Sequence, residues 1–562
     1  LKRRQFIQNS SFALSPLFME SFLATIANDF CTRANAEALS QSTARNYINV
    51  LMPGAPMRYM FDHWLKTGAS DGELQYNPMT GNSYSYSGNS ISGVTMKYHT
   101  YNNMMVPHLF SQNVQLSSGS TSISTLLDNM LVMRGYGTGA DGHTANAVKQ
   151  IAPLGGVPSL TGLVADNSSK IFEAVQSPGR GSYTSFVSQK GKAVNILPIN
   201  DPLKTLLVGF GKPASMEGRS LKERNADAFD KAKRSLASKG GASSNASKIL
   251  NSSLSNAETL MKKGIGNLDA YMQEALPRYQ RIVGDAVRTI NIDSISTMPI
   301  VASADQILND AGGNRFNWSM QSGDVYLFGP DYDMRNSLAN AFINVYAEGL
   351  AMAEYVVNEN LAQSVEIMAG SLVNFFVPRV ESASGFKTPV AAANLELILD
   401  MHGTGSHTNV FAFNAYYRGI TAGILELISK LKAKSTFANT LIQFQSDFGR
   451  ITRTNNTGSD HGFNQMVTSA ISGGFTGGPY VVGNVSRTGV NGDYAGTQGL
   501  GASIKDYNQK GRPTPMAPAA TVAELLSVDH NPYANTAAPL VKIKNGKLEY
   551  EFGKGAIVET AE

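Results

Sequence analysis

A strand, a helix and a second strand follow one another between residues 394 and 446, and that order restricts the chain to few folds. Asn394 to Asp400 (NLELILD) reads as a strand, Phe411 to Lys434 as a helix, and Thr440 to Ser446 (TLIQFQS) as a strand. Parallel strands need a crossover of this kind, so the unit predicts an α/β domain built on a parallel sheet with flanking helices. Asn46 to Pro53 (NYINVLMP), an apolar run closed by Pro-Gly, reads as the first buried strand. Leu131 to Arg134 and Leu206 to Phe210 read as further strands, each followed by glycine. Leu338, Phe342, Val345, Tyr346, Met352, Ala353 and Val356 recur at helical spacing, which predicts a long helix over 334–360.

Three segments depart from this core. Residues 76–125, dense in Ser, Asn, Gly and Tyr, read as a surface insertion. From Glu217 to Leu276 the composition turns to Lys, Ala, Ser and Glu, with Leu221, Phe229, Ala232 and Leu236 on one helical face, which predicts a helical hairpin acting as a cap. Leu540 to Phe552 holds Asn545-Gly546 between two alternating runs, a hairpin signal, and is expected to finish a sheet edge.

The 562 residues allow one elaborated domain or two ordinary ones. Charged residues are 16%, against roughly 25% in an average soluble protein, so the surface is expected to be polar rather than ionic. A formal net charge of +4 gives no reason to expect nucleic acid or an anionic membrane as partner.

The opening Leu1-Lys2-Arg3-Arg4-Gln5-Phe6-Ile7 resembles a twin-arginine export signal. An apolar stretch from Phe12 to Ala27 leads to Ala34-Asn35-Ala36, an A-x-A cleavage site. The expectation is a leader over 1–36, a mature domain over 37–562, and a periplasmic or cell-surface location. No apolar run long enough to span a bilayer follows the leader. The single cysteine, Cys31, lies within the leader, so any metal in the mature chain would be held by His, Asp or Glu.

Asp400 closes the first strand of the 394–446 unit and Asp447 follows the second. Ligands of parallel sheets collect at the carboxyl ends of strands, which would bring these two carboxylates side by side. His402 stands two residues beyond Asp400, and Asp460-His461 ends the polar loop after the second strand. Carboxylates with imidazoles and no thiolate suit Zn, Mn or another divalent cation such as Mg or Ca, able to polarise an ester oxygen or activate a water. Asp460 could instead orient His461. Arg450 and Arg453 share the loop, and guanidinium forks bind tetrahedral anions, although a salt bridge shaping the loop reads equally well.

The segment SDFGRITRTNNTGSDHG at 446–462 resembles a motif of a large family of twin-arginine-exported bacterial proteins of unknown function, grouped with alkaline phosphatases and sulfatases. Asp400-Met401-His402-Gly403, the glycine loop at 473–478, and the run from Ala519 to Leu526 agree with that family in order. Upstream, 141–166 resembles the segment where the family has a histidine, here His143. The resemblance implies an alkaline phosphatase or sulfatase-like fold, a divalent metal, and a small anionic ester as substrate. It implies metal ligands at Asp400, His402, Asp447, Asp460 and His461, with Arg450 and Arg453 on the anion.

Two departures bear on mechanism. Working members of the superfamily place a metal-binding Asp and then a Ser, Thr or modified Cys nucleophile after the first strand. Here that strand leads into Met52-Pro53-Gly54-Ala55-Pro56-Met57, with no acidic residue before Asp62. Where such phosphatases carry Asp-His, this chain has Asp447-Phe448. A non-catalytic relative, binding an envelope protein through its insertions, is therefore the alternative. His407 carries a weaker signal, and Asp62-His63 resembles a metal pair, although its place at an apparent helix start (FDHWL) favours an N-cap. Neither glycine cluster, at 473–478 or 498–501, has the Lys-Ser or Lys-Thr of a nucleotide loop.

Overall fold

The computed structural model describes residues 44–63, 65–67, 84–86, 89–91, 98–168, 170, 172–177, 186–192, 194–196, 265–290, 307–309, 315–317, 319–321, 324–326, 334–370, 375–378, 394–397, 406–453, 459–462, 466–486, 497–498, 500–502 and 514–551. The chain divides into two compact units, and nearly all described residues belong to the larger, 43–168 with 172–199 and 271–562. Of the smaller, only Lys170 and residues 265–270 are described. The leader over 1–36, the strand expected at 206–210, and most of the 217–276 cap lie outside the described residues.

An eight-stranded sheet forms the core: β1 (Asn46–Met52), β2 (Met130–Tyr136), β3 (Ala174–Gln176), β4 (Val194–Ile196), β5 (Ser364–Met368), β6 (Thr440–Ser446), β7 (Met466–Ser472) and β8 (Tyr480–Val482). Their order is β4-β3-β5-β1-β6-β7-β2-β8. All run parallel except β7, which is antiparallel to both its neighbours. β6 and β2 are buried at every position, as expected of strands covered on both faces.

Helices cover both faces. α1 (His143–Ile151), α2 (Leu160–Asp166) and α6 (Met516–Leu525) lie on the face that carries Tyr47, where Leu163, Val164, Val522 and Leu526 join one apolar cluster. α3 (Ile265–Arg288), α4 (Met334–Asn358) and α5 (Ser406–Ala433) pack together elsewhere in the larger unit. Arg278 of α3 bridges Glu354 of α4, at 3.0 Å, and Glu426 of α5, at 2.6 Å, and so ties the three together. The C-terminal hairpin, β9 (Val541–Lys544) and β10 (Lys547–Tyr550), turns at Asn545 and Gly546 with φ of 54° and 71°. Those values are the left-handed pair that Asn-Gly supplies. The hairpin forms its own ladder rather than extending the sheet, and buries Val541 and Leu548 against α6.

Three expectations need correcting. The strand expected at 394–400 runs from Asn394 to Leu397 and pairs antiparallel with Phe375–Pro378 outside the central sheet. Glu396 gives it the alternation of a half-covered strand rather than the unbroken apolar run of a central one. The neighbours of β6 are β1 and β7, so the topological argument that set Asp400 beside Asp447 fails. The stretch taken as a surface insertion contributes to the core in its second half, through Val106, Leu109, Phe110, Val114, Leu116 and Ile123. Finally, Asp62 and His63 cap no helix. They follow a 3-10 turn, Arg58–Met60, and are fully buried.

Candidate functional site

β1 and β6 run side by side with Met52 opposite Ser446, so whatever follows each strand meets at one end of the sheet. After β1 the chain turns sharply at Gly54 and Ala55, with φ of 82° and 54°. After β6 comes Asp447, 2% exposed. The Gly54 N–H donates to Asp447 Oδ2 at 3.1 Å. The first turn of α1 closes over the same carboxylate. His143 Nδ1 lies 2.5 Å from Asp447 Oδ2, and the Asn146 amide donates to the Asp447 carbonyl. Asp447 Oδ1 is buried with no hydrogen-bond partner among the described residues.

A second pair of the same kind stands beside the first. His461 Nδ1 lies 2.5 Å from Asp141 Oδ1. The two imidazoles are 5.0 Å apart between centroids and nearly perpendicular, at 87°. Phe448 joins them: it stacks on His461 at 4.1 Å and 6°, and meets His143 edge-on at 4.8 Å. Carboxylates only accept, so each Nδ1 carries the proton of its bond, and chemistry at either ring has to run through Nε2. Both rings are about one-fifth exposed. Beside Asp447 opens a small cavity walled by Leu51, Ile151 and Met368, with Gln150 and Gln445 also on its lining.

Arg450 is fully buried. Its Nε donates to the Ala55 carbonyl at 3.0 Å and its Nη2 to the Gly54 carbonyl at 2.9 Å. Its own backbone lies in the left-handed region, at φ 56°, as does that of Ala55, and its N–H donates to the His461 carbonyl at 3.2 Å. One guanidinium thus joins the turn after β1 to the loop after β6. Two non-glycine residues held at positive φ concentrate backbone strain at the site, as functional turns often do.

Behind this loop lies a buried charged cluster. The Asp62 carboxylate is taken by the Arg58 guanidinium and by Ser469 Oγ, at 2.5 Å, which leaves it no part as a metal ligand. Burial, with Arg134 and Arg58 nearby, pushes the His63 imidazole down to about 3. Burial also lowers Arg134, to about 10.

Of the residues singled out from sequence, Asp447 and His461 come together with His143, which the sequence marked only through the resemblance over 141–166. Asp400 and His402 lie outside the described residues. Arg453 and Asp460 are described by backbone alone, in the short strands Ile451–Arg453 and Ser459–Asp460, which pair antiparallel. His407 is the second residue of α5. The sequence reading missed Asp141, Gly54 and Asn146. Asp141 stands two residues before His143, and no spacing rule ties it to a histidine 320 positions away. Among the described residues, no group of three or more His, Cys, Asp or Glu is arranged to hold a metal ion. Comparison of the sequence with family models and with curated proteins, and of the fold with solved structures, gives no match.

Proposed function

We propose that the chain is an exported hydrolase of phosphate or sulfate esters, of the alkaline phosphatase and sulfatase type, working with a divalent cation. One observation carries the reading: Asp447 with His143, and Asp141 with His461, meet at the carboxyl ends of β1 and β6. That end of an α/β sheet is where ligands gather. An imidazole whose Nδ1 is fixed on a carboxylate is oriented for metal binding or proton transfer at Nε2. Imidazoles joined by carboxylates, with no thiolate, suit Zn or Mn. His143 and His461 would hold the ion through Nε2, with Asp447 and Asp141 orienting them and Asp400, His402 and Asp460 as the further ligands expected from sequence. Bound there, the ion supplies positive charge to polarise an ester oxygen.

The chain's own residues divide the remaining work. Gly54 N–H and His143 fix the Asp447 carboxylate, and Phe448 holds His461 in place by stacking. Arg450 positions both loops, which leaves Arg453 as the guanidinium for the substrate anion. No hydroxyl or thiol stands between Pro53 and Met57, so the attacking oxygen comes from water. The test is elemental analysis of the dialysed protein together with phosphate and sulfate release from aryl esters, in parent, His461→Ala and Asp447→Asn. Stoichiometric metal and turnover, both lost in the variants, are expected. A metal-free parent that releases neither anion would end the reading.

A second reading, a non-catalytic component of an envelope assembly, is favoured by Arg450. Its Nε and Nη2 bind backbone carbonyls in a buried position, where a working site of this type would turn a guanidinium toward substrate. Removal of residues 76–103 or 217–264 would then release partner proteins while leaving the core folded, and co-purification reads this directly.

A further inference from the structure

Away from Asp447, the sheet face toward α2 holds polar groups that the proposed reaction does not use. Asn49 of β1 and Glu366 of β5 stand opposite one another in register, and Gln176 of β3 is the other neighbour of Glu366. All three are at least nine-tenths buried, as are Ser364 and Thr161. Thr161, Gln176, Phe186, Ser364 and Glu366 line a chamber, and among the described residues its walls include no Lys, Arg or His. Glu366 Oε1 and Ser364 Oγ have no hydrogen-bond partner among the described residues, and the Asn49 amide stands close enough to Glu366 to act on its carboxyl. Unpaired polar atoms are costly in a protein interior, and a carboxylate without a counter-charge is the costliest of them.

We propose that this chamber binds an alkali cation, sodium or potassium, through the Glu366 carboxylate and the neutral oxygens of Ser364, Gln176 and Thr161 on its lining. The donors are all oxygen, which suits a hard cation and not a borderline one. A single carboxylate balances one charge, whereas divalent sites gather several. Water alone could bridge the hydroxyls, the amides and a protonated carboxyl, but once Glu366 ionises it would leave the charge uncompensated. Burial pushes the Glu366 carboxyl up to about 8, against a smaller pull from Asn49, so proton and cation compete for the same oxygen. Among the described residues, the titratable neighbours Tyr47, Tyr533 and Asp166 are already engaged, Tyr533 donating to the Pro158 carbonyl at 2.5 Å. Tyr47 donates to Gln443 at 2.7 Å, and the Asp166 carboxylate of α2 accepts from Ser188 and the backbone N–H groups of Gln189 and Lys190.

The experiment is thermal unfolding of the full chain above the pH at which Glu366 ionises, in sodium, potassium or choline chloride at equal ionic strength. Choline is too large for the chamber. Sodium or potassium should raise Tm by about 2 °C or more over choline. The rise should vanish in Glu366→Gln and persist in Asp447→Asn. Equal Tm in all three salts, or a rise that survives in Glu366→Gln, overturns the proposal. Should Glu366→Gln fail to fold, sodium-23 line broadening on the parent decides: saturable broadening displaced by potassium supports the site, and its absence overturns it.

Discussion

His143 Nδ1 and Asp447 Oδ2 stand 2.5 Å apart although 304 positions separate the residues, and the same carboxylate oxygen accepts the Gly54 N–H. The carboxylate fixes the imidazole in the tautomer that carries its proton on Nδ1. Asp447→Asn keeps the shape but presents an amide that can donate where a carboxylate only accepts. Nitrogen-15 spectra of the parent should show both His143 and His461 protonated at Nδ1. In Asp447→Asn only His143 should change, with activity falling roughly 100-fold or more. An unchanged His143 tautomer would break the link between this pair and the chemistry.

Arg450 makes two hydrogen bonds to carbonyls of the turn after β1 from a fully buried position. Arg450→Leu leaves the Gly54 and Ala55 carbonyls unpaired and puts a branched side chain on a backbone at positive φ. The expected cost is about 3 kcal/mol, read from denaturant unfolding. A role confined to substrate binding would leave stability near the parent value.

The His63 imidazole, pushed down to about 3, binds a proton far less readily folded than unfolded. A depressed folded pKa means that the stability contribution is whole above the ordinary imidazole range and is lost as pH falls toward about 3. At pH 4 the loss is on the order of 3 kcal/mol. His63 stacks on Tyr59 at 4.9 Å, so His63→Phe should keep the packing and flatten the acid limb of the stability profile. Parallel acid limbs in parent and variant would show that other groups set it.

Glu366 has the opposite sign. Its carboxyl is raised to about 8, so its contribution is whole below the ordinary carboxylate range and declines as pH rises toward about 8. In choline chloride, the parent should lose stability over that window while Glu366→Gln holds level. Tm measured across the window checks the slope.

Three of the eight strands of the sheet, β1, β2 and β6, were legible because they are covered on both faces, and such strands read as unbroken apolar runs. β1 begins at Asn46 and β6 runs from Thr440 to Ser446 as their sequences predict. Asn545-Gly546 gave the hairpin because only a few residues accept left-handed backbone at both turn positions. Val114 and Leu116 were harder to place, since a two-residue alternation within a Ser-rich and Gly-rich stretch is too brief to separate from a loop.

Sequence by itself determined β1, β6 and part of β2, the helices α4 and α5, and one end of the site, because Asp447 directly follows a strand and His461 ends the same loop. Only the tertiary structure decided which residues face them. Asp141, His143 and Asn146 reach the site because α1 lies over the carboxyl ends of β1 and β6, and Gly54 reaches it because β1 is the parallel neighbour of β6. Strand order also set Asn394–Leu397 apart from the central sheet. Periodicity is a property of neighbours along the chain, whereas strand order follows from how distant apolar faces pack, and a local pattern does not encode it.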